Sequence, residues 1–255
     1  MAGEAHGLTP SEIASGSPAA LDALAAFRKR VEEGRYGFPD LPFQSHVIKE
    51  VREYAAQVGG TFDTVCLVGI GGSALGAWAL DCALRGPHPV QGAFTPKHPR
   101  LVILDNADPS LVNAAIESMN PKKTLVVAIA KSGATAETAA VFLIVRDWLG
   151  KVLGRKAAGR IVAVTSESRG DLKLLAAREG YRTFHIPENV GGRFSVLSPV
   201  GLVPAALTGI DIVKLCRGAA AMTQQSWRAD LEQNLALRAA LLHYLLLTKK
   251  KKPIQ

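Results

Sequence analysis

The chain predicts an α/β fold: a doubly wound, five-stranded parallel sheet flanked by helices, with an N-terminal helical segment and C-terminal helices. Three observations carry this expectation. Short apolar runs rich in Val, Ile and Leu recur along the middle of the chain, continuous rather than alternating, as strands covered on both faces are. Stretches of helical spacing separate them, long enough for the crossovers that parallel pairing with right-handed connections requires. Loops rich in glycine and hydroxyl residues directly follow two of the runs, at the carboxyl ends where such sheets bind ligands.

Taken in order, Thr9-Pro10-Ser11-Glu12 has the form of a helix start, and Ala19 to Glu33 continues with helical spacing. Gly34, Gly37, Pro39 and Pro42 then punctuate a loop. A helix over Ser45 to Val58 leads into the first strand. Strands are expected at Val65–Val68, Leu101–Leu104, Leu125–Ala130, Ile161–Val164 and Tyr181–Ile186, with helices near 73–85, 109–119, 135–149 and 170–179. After Gly191-Gly192-Arg193-Phe194 the chain turns helical to about 248, with a break near Gly209, and Pro253-Ile254-Gln255 reads as the beginning of another strand. The segments expected are an extension over 1–44, a ligand-binding α/β domain over 45–210 and a helical connection over 211–255.

Composition bounds the function. At 255 residues, 48% hydrophobic and 20% charged, the chain has the make-up of an ordinary soluble globular protein. No stretch approaches the ~18 uninterrupted apolar residues of a membrane span. The start, Met1 to His6, lacks the basic region and apolar core of a secretory signal. Cys66, Cys82 and Cys216 are far apart and odd in number, which fits buried thiols in a reducing compartment; the expected setting is cytoplasmic. Half of the +8 net charge comes from Lys249-Lys250-Lys251-Lys252, and aromatics are only 6%, so a solvated helix end fits better than a nucleic-acid surface.

Chemistry concentrates in the loops. Gly69-Ile70-Gly71-Gly72-Ser73-Ala74-Leu75-Gly76 follows the first strand and opens a helix, where bare N–H groups and the helix dipole favour an anion. Gly69-x-Gly71-x-x-Ala74 also satisfies the relaxed dinucleotide fingerprint, but Asp105, which ends the second strand, is farther on than a ribose ligand should be. Ser73 either caps the helix or donates to a phosphate. Lys131-Ser132-Gly133-Ala134-Thr135 follows the third strand with one cation and two hydroxyls, a mixture suited to phosphate; simple capping by Ser132 or Thr135 is the bland alternative. It lacks the ending that a nucleotide-triphosphate loop requires. Glu137 sits in a first helical turn, where a carboxylate is favoured without any catalytic role, and Glu188 is the other acid near these loops. His185 ends a strand and fits a packed histidine as well as a catalytic one. Arg193 lies at the ligand edge, suited either to neutralising charge on a substrate oxygen or to a salt bridge anchoring the following helices.

Three segments together, Val68 to Gly76, Lys131 to Thr138, and Val190-Gly191-Gly192-Arg193-Phe194-Ser195-Val196-Leu197-Ser198, strongly resemble the glucose-6-phosphate isomerase family of the bacterial type, over roughly residues 45 to 255. The third segment is the most specific; the first two occur more widely among sugar-isomerase (SIS) domains. The resemblance implies two SIS domains, a homodimer, and cofactor-free interconversion of glucose 6-phosphate and fructose 6-phosphate through a cis-enediolate, a step of glycolysis and gluconeogenesis. It implies that Gly72 and Ser73 lie against the sugar phosphate, that Lys131, Ser132 and Thr135 complete the cradle, and that Arg193 stabilises the enediolate, with no metal. Ala130 departs from the family, which usually carries a serine there. The family's glutamate base, ring-opening histidine and late lysine fall beyond the point matching Gln255. The expectation is therefore an N-terminal portion holding the phosphate site without its proton-transfer groups. Leu231, Leu235, Leu237, Leu241, Leu242, Leu245 and Leu246 would then face the absent half as an exposed apolar patch. The alternatives are a non-catalytic SIS-type phosphosugar sensor and, more weakly, a dinucleotide-binding oxidoreductase. None of these readings calls for a nucleic-acid or membrane partner.

Overall fold

The computed structural model describes residues 7–86, 98–133 and 135–252. The expected strand start at 253–255, the first six residues and Ala134 of the second loop lie outside the described residues. The chain divides into two compact units. One is Asp40–Cys216; the other comprises the described residues of Met1–Pro39 and Arg217–Gln255.

The first unit is built on a five-stranded, all-parallel sheet in the order β2-β1-β3-β4-β5, with β1 Thr64–Val68, β2 Arg100–Leu104, β3 Thr124–Ile129, β4 Ile161–Ser166 and β5 Arg182–Ile186. Its register pairs Val68 with Leu104 on one side and with Ala128 on the other. Every residue of β1, β3 and β4 is buried, which is why these strands read as unbroken apolar runs. Successive side chains alternate between two cores. Val65, Leu67, Val127, Val164 and Phe184 meet α2 (Ser45–Val58), α3 (Leu75–Arg85) and α7 (Pro199–Leu207) through Val51, Ala77 and Val203. Cys66, Val68, Val126, Ala128 and Ala163 meet α4 (Pro109–Glu117), α5 (Ala136–Leu153) and α6 (Asp171–Glu179) through Val112, Val145, Leu149 and Ala176.

The order places a topological switch point between β1 and β3. The chain leaves β1 to one side by α3 and returns across it to β3 by α4, and the helices change face as the direction changes. A crevice opens at such a point outside the carboxyl ends of the strands, and the loops after β1 and β3 flank it. At the far edge, β5 carries exposed Arg182, whose guanidinium stands 4.7 Å from the Phe184 ring centroid and pairs with Glu50 at 2.6 Å.

In the second unit, α1 (Pro10–Glu32) begins at the predicted signal: Thr9 accepts from the Glu12 N–H at 3.2 Å, and Glu12 accepts from the Thr9 N–H at 2.8 Å. α8 (Ile212–Ser226) is followed by a second helix break, not expected from sequence, at 227–234, and then by α9 (Leu235–Lys249). Asn234, fully buried, seals that break. It accepts from the Leu237 N–H at 2.9 Å and donates to the carbonyls of Ser226 and Arg228 at 2.7 and 2.8 Å. Leu241 and Leu245 bury against Ala20 and the bare backbone at Gly16 of α1, so the apolar side of α9 is only partly exposed, at Leu235, Tyr244 and Leu247. The lysine run is not simply a solvated end: Lys250 pairs with Glu12 at 3.1 Å and Lys249 donates to Ser15 at 3.0 Å. Among the described residues no helix is long and apolar enough to cross a membrane.

Candidate functional site

The first loop leaves β1 through buried Gly69, whose N–H continues the sheet by donating to the Leu104 carbonyl at 3.2 Å. Gly71–Ser73 then forms a 3-10 turn, and α3 begins only at Leu75. Ser73 does not cap α3, whose N-cap position is Ala74. The helix expected from about 73 therefore starts a half-turn later. The cause lies in packing: a Cβ on Gly72 would stand 2.5 Å from the carbonyl carbon and oxygen of Gly192, in the 3-10 turn Gly192–Phe194. The Ser195 hydroxyl ties the same two segments, lying 2.8 Å from the Gly192 carbonyl and 3.3 Å from that of Gly72. A step further on, Gly76 leaves room for Val196.

The second loop is fixed from the β4 side. Thr165 donates its hydroxyl to the Ala130 carbonyl at 2.7 Å, and the Ser166 N–H donates to the Lys131 carbonyl at 3.3 Å. Gly133 is left-handed (φ +73), and a Cβ there would lie 2.7 Å from the Leu172 nitrogen, so glycine is required on both counts. Ser132 is exposed, its carbonyl accepting from the Asp171 N–H at 3.3 Å. Thr135 holds the N-cap position of α5 and makes no side-chain cap bond there, so the bland explanation of that hydroxyl does not apply.

The third loop comes to the first two. Lys131 donates its ammonium to the carbonyls of Glu188 and Val190 at 2.6 and 3.2 Å, and stands 3.9 Å from a Glu188 carboxylate oxygen. Arg193 is exposed, and among the described residues it has no ion-pair partner, so the anchoring salt bridge is not formed. Gly72, Ser73, Lys131, Ser132, Thr135 and Arg193 thus belong to loops converging on one edge of the sheet, with Gly72 touching the Arg193 turn and Lys131 reaching the segment before it.

The acids stand differently. Glu188 accepts from the Ser166 hydroxyl in a short hydrogen bond, from Ser168 at 3.4 Å and from Arg169 at 3.4 Å. The Ser166 hydroxyl, helped by the charges of Lys131 and Arg169 and opposed by some desolvation, holds the Glu188 carboxyl below the usual carboxylate range. Glu137 is exposed in the first turn of α5, and His185 is exposed on edge strand β5 rather than packed. Asp105 follows β2 at the edge of the sheet. Reading the sequence missed Ser166, Ser168 and Arg169, although Ser166-Glu167-Ser168-Arg169-Gly170 after an apolar strand is a signal of the kind used for the other two loops. A recess of about 630 Å3, lined by Arg85, His98, Gly209 and Lys214 among others, lies toward the amino ends of the strands, away from these loops. Among the described residues there is no cluster of His, Cys, Asp and Glu suited to a metal ion.

Residues 44–249 match the family model described as phosphoglucose isomerase. The chain is 39% identical over 236 residues to a glucose-6-phosphate isomerase of Carboxydothermus hydrogenoformans, covering 90% of this chain and 50% of that protein. It is 40% identical over 218 residues to one of Thermus thermophilus, covering 85% of this chain and 50% of that protein. The chain spans about half the length of the curated relatives it matches. Among solved structures it resembles a protein of Thermus thermophilus described as hypothetical, with a TM-score of 0.83 and 35% identity over 92% of this chain and 55% of that one. It also resembles a glucose-6-phosphate isomerase from Chlamydia trachomatis, with a TM-score of 0.68 and 29% identity over 80% of this chain and 38% of that one.

Proposed function

The chain belongs to the phosphoglucose isomerase family, and from that premise we propose that it carries the phosphate-binding part of an aldose–ketose isomerase acting on glucose 6-phosphate and fructose 6-phosphate. The observation that supports this best is the convergence of the three motif loops at the switch point, with Gly72 against Gly192 and Lys131 joined to the 188–190 segment. The phosphate would lie against the backbone at Gly72 and Ser73 and accept from the hydroxyls of Ser73, Ser132 and Thr135, while the Lys131 ammonium beside them is taken up by the Glu188 and Val190 carbonyls. On this reading the sugar carbons would extend toward Arg193.

The isomerisation moves one proton between carbons and one between oxygens. A base takes the proton from C2, the carbonyl at C1 becomes an enediolate oxygen, and the proton returns to C1 as the O2 hydroxyl proton passes to O1 and the C2 carbonyl forms. Arg193, free of any ion-pair partner among the described residues, is suited to stabilise the negative oxygen as its charge develops in the transition state leading to the enediolate. Glu188 is a poor base for this step, because its hydrogen bonds favour the ionised form and so lower its proton affinity. That property favours a second reading, in which the chain binds a phosphosugar and senses it without turnover. The isomerase reading also implies glycolytic and gluconeogenic use, a cytoplasmic setting and a homodimer, the last checked by light scattering.

Calorimetric titration with glucose 6-phosphate, paired with a fructose 6-phosphate assay, tests both readings. Binding with turnover, the turnover lost in Arg193→Ala while measurable binding remains, is the isomerase result. Binding without turnover is the sensor result, and absence of binding rejects both.

A further inference from the structure

Lys131 is the only cation of the three motif loops besides Arg193, and its ammonium is already engaged. Two of its three N–H donors reach main-chain carbonyls, of Glu188 at 2.6 Å and Val190 at 3.2 Å. Those carbonyls immediately precede the Gly191-Gly192-Arg193 turn. The segment is held from below as well. The Glu188 carboxylate accepts from Ser166 and Arg169, and the Ser166 oxygen in turn accepts from the N–H groups of Ser168 and Arg169 at 3.1 and 3.3 Å. The Ser166 N–H returns to the Lys131 carbonyl at 3.3 Å. The contacts therefore close a ring through the loops after β3, β4 and β5. Hydrogen bonds from a charged donor are the stronger kind, and one that bridges two loops fixes their separation.

Arg193 has no comparable support of its own. Its side chain makes no ion pair among the described residues, so its position follows from the backbone of its turn. Among the contacts at that turn are those of Gly72 and Ser195 on one side and of the Lys131 ammonium on the other.

We propose that Lys131 is a positioning residue, whose ammonium, held by the Glu188 and Val190 carbonyls, fixes the turn that carries Arg193, with Glu188 and Ser166 as its anchor. The bracket itself stands on geometry; its consequence for the sugar rests on the reading of Arg193 given under Proposed function. A lysine that binds phosphate by charge serves any phosphate. A lysine that positions Arg193 serves only ligands that reach Arg193.

Two measurements on this chain test the proposal. The first is hydrogen exchange without ligand at the amides of Val190, Phe194 and Ser195, which close the turn onto Pro187, Gly191 and Gly192. Lys131→Met should speed exchange there roughly tenfold or more and leave β1 and β3 unchanged, with Lys131→Arg restoring part of the protection. Unchanged exchange overturns the proposal. Should Lys131→Met fail to fold, Ser166→Ala breaks the anchor without touching the ammonium; it should loosen the same amides, and no effect again overturns the bracket.

The second is calorimetric binding of inorganic phosphate and of glucose 6-phosphate. Lys131→Met should keep inorganic phosphate affinity within roughly twofold and lose roughly tenfold for the sugar phosphate, a loss that vanishes in an Arg193→Ala background. Equal losses for both ligands make Lys131 a direct charge partner and overturn the proposal. Failure of the unmodified chain to bind either ligand counts against the proposed function, while the exchange result still decides the bracket.

Discussion

Gly72 lies flat against Gly192, so close that a methyl group on the first would meet the carbonyl carbon and oxygen of the second at 2.5 Å. The obstacle is main chain on both sides and cannot swing away as a side chain would. Gly72→Ala should therefore push the two turns apart, costing ~1–3 kcal/mol of stability as overpacked sites do. Thermal melts read that loss, and calorimetry should show weakened glucose 6-phosphate binding in the same variant. A melting temperature equal to the parent's would mean that the turns separate freely.

Thr135 and Ser198 make a matched pair of helix-start hydroxyls with opposite expectations. Ser198 is fully buried, donates to the Ser195 carbonyl at 2.6 Å and accepts from the Val200 N–H at 3.3 Å, so Ser198→Ala should cost ~1–2 kcal/mol. Thr135 makes no cap bond, so Thr135→Ala should stay within about 0.5 kcal/mol of the parent while binding the phosphosugar less tightly. Urea unfolding and calorimetry on the two variants separate a cap from a ligand.

The acid limb of stability should depend on Glu188. Its folded carboxyl titrates below the ordinary value of 4.5, chiefly because of the Ser166 hydrogen bond, with Lys131 and Arg169 the facing charges. A depressed carboxylate contributes stability that is fully present above the unfolded value and is lost as pH falls through the folded one. Between neutrality and about pH 5 the contribution should be constant, then decline below 4.5. In Glu188→Gln that part of the decline should be missing from urea midpoints measured against pH.

The thiols should react in two classes. Cys66 is wholly buried in β1, and burial pushes its thiol up to about 12; burial raises that of Cys216 as well. Cys82 on α3 is only half-buried. A thiol reagent at neutral pH should label Cys82 in the native chain and reach Cys66 and Cys216 only in denaturant, because the thiolate is the reacting species. Fast native labelling of Cys66 would contradict the packing of β1.

The strands were legible almost to the residue because burial on both faces leaves a continuous apolar signature, as in Leu125–Ile129 and Ile161–Val164. The start of α1 was legible because Thr9 and Glu12 satisfy one another locally. The start of α3 was not, since its 3-10 turn is shaped by Gly192, a residue distant in sequence. The ring around Glu188 escaped notice for the same reason: Lys131, Ser166 and Glu188 meet only because β3, β4 and β5 are neighbours in the sheet. Likewise the short segment at 227–234 carries no glycine or proline to announce a break; buried Asn234 makes it.

The pairing of α1 with α9 also governs the order in which the chain can fold. Leu241 and Leu245 meet Ala20 across a long stretch of sequence, and Lys250 meets Glu12 across a still longer separation. Contacts of such long range close last, after the loop entropy has been offset by the structure between them. During synthesis the sheet unit emerges whole while α1 waits, its inner face at Gly16 and Ala20 uncovered until α9 leaves the ribosome. The pairing of the two helices is thus a place from which local unfolding should begin early.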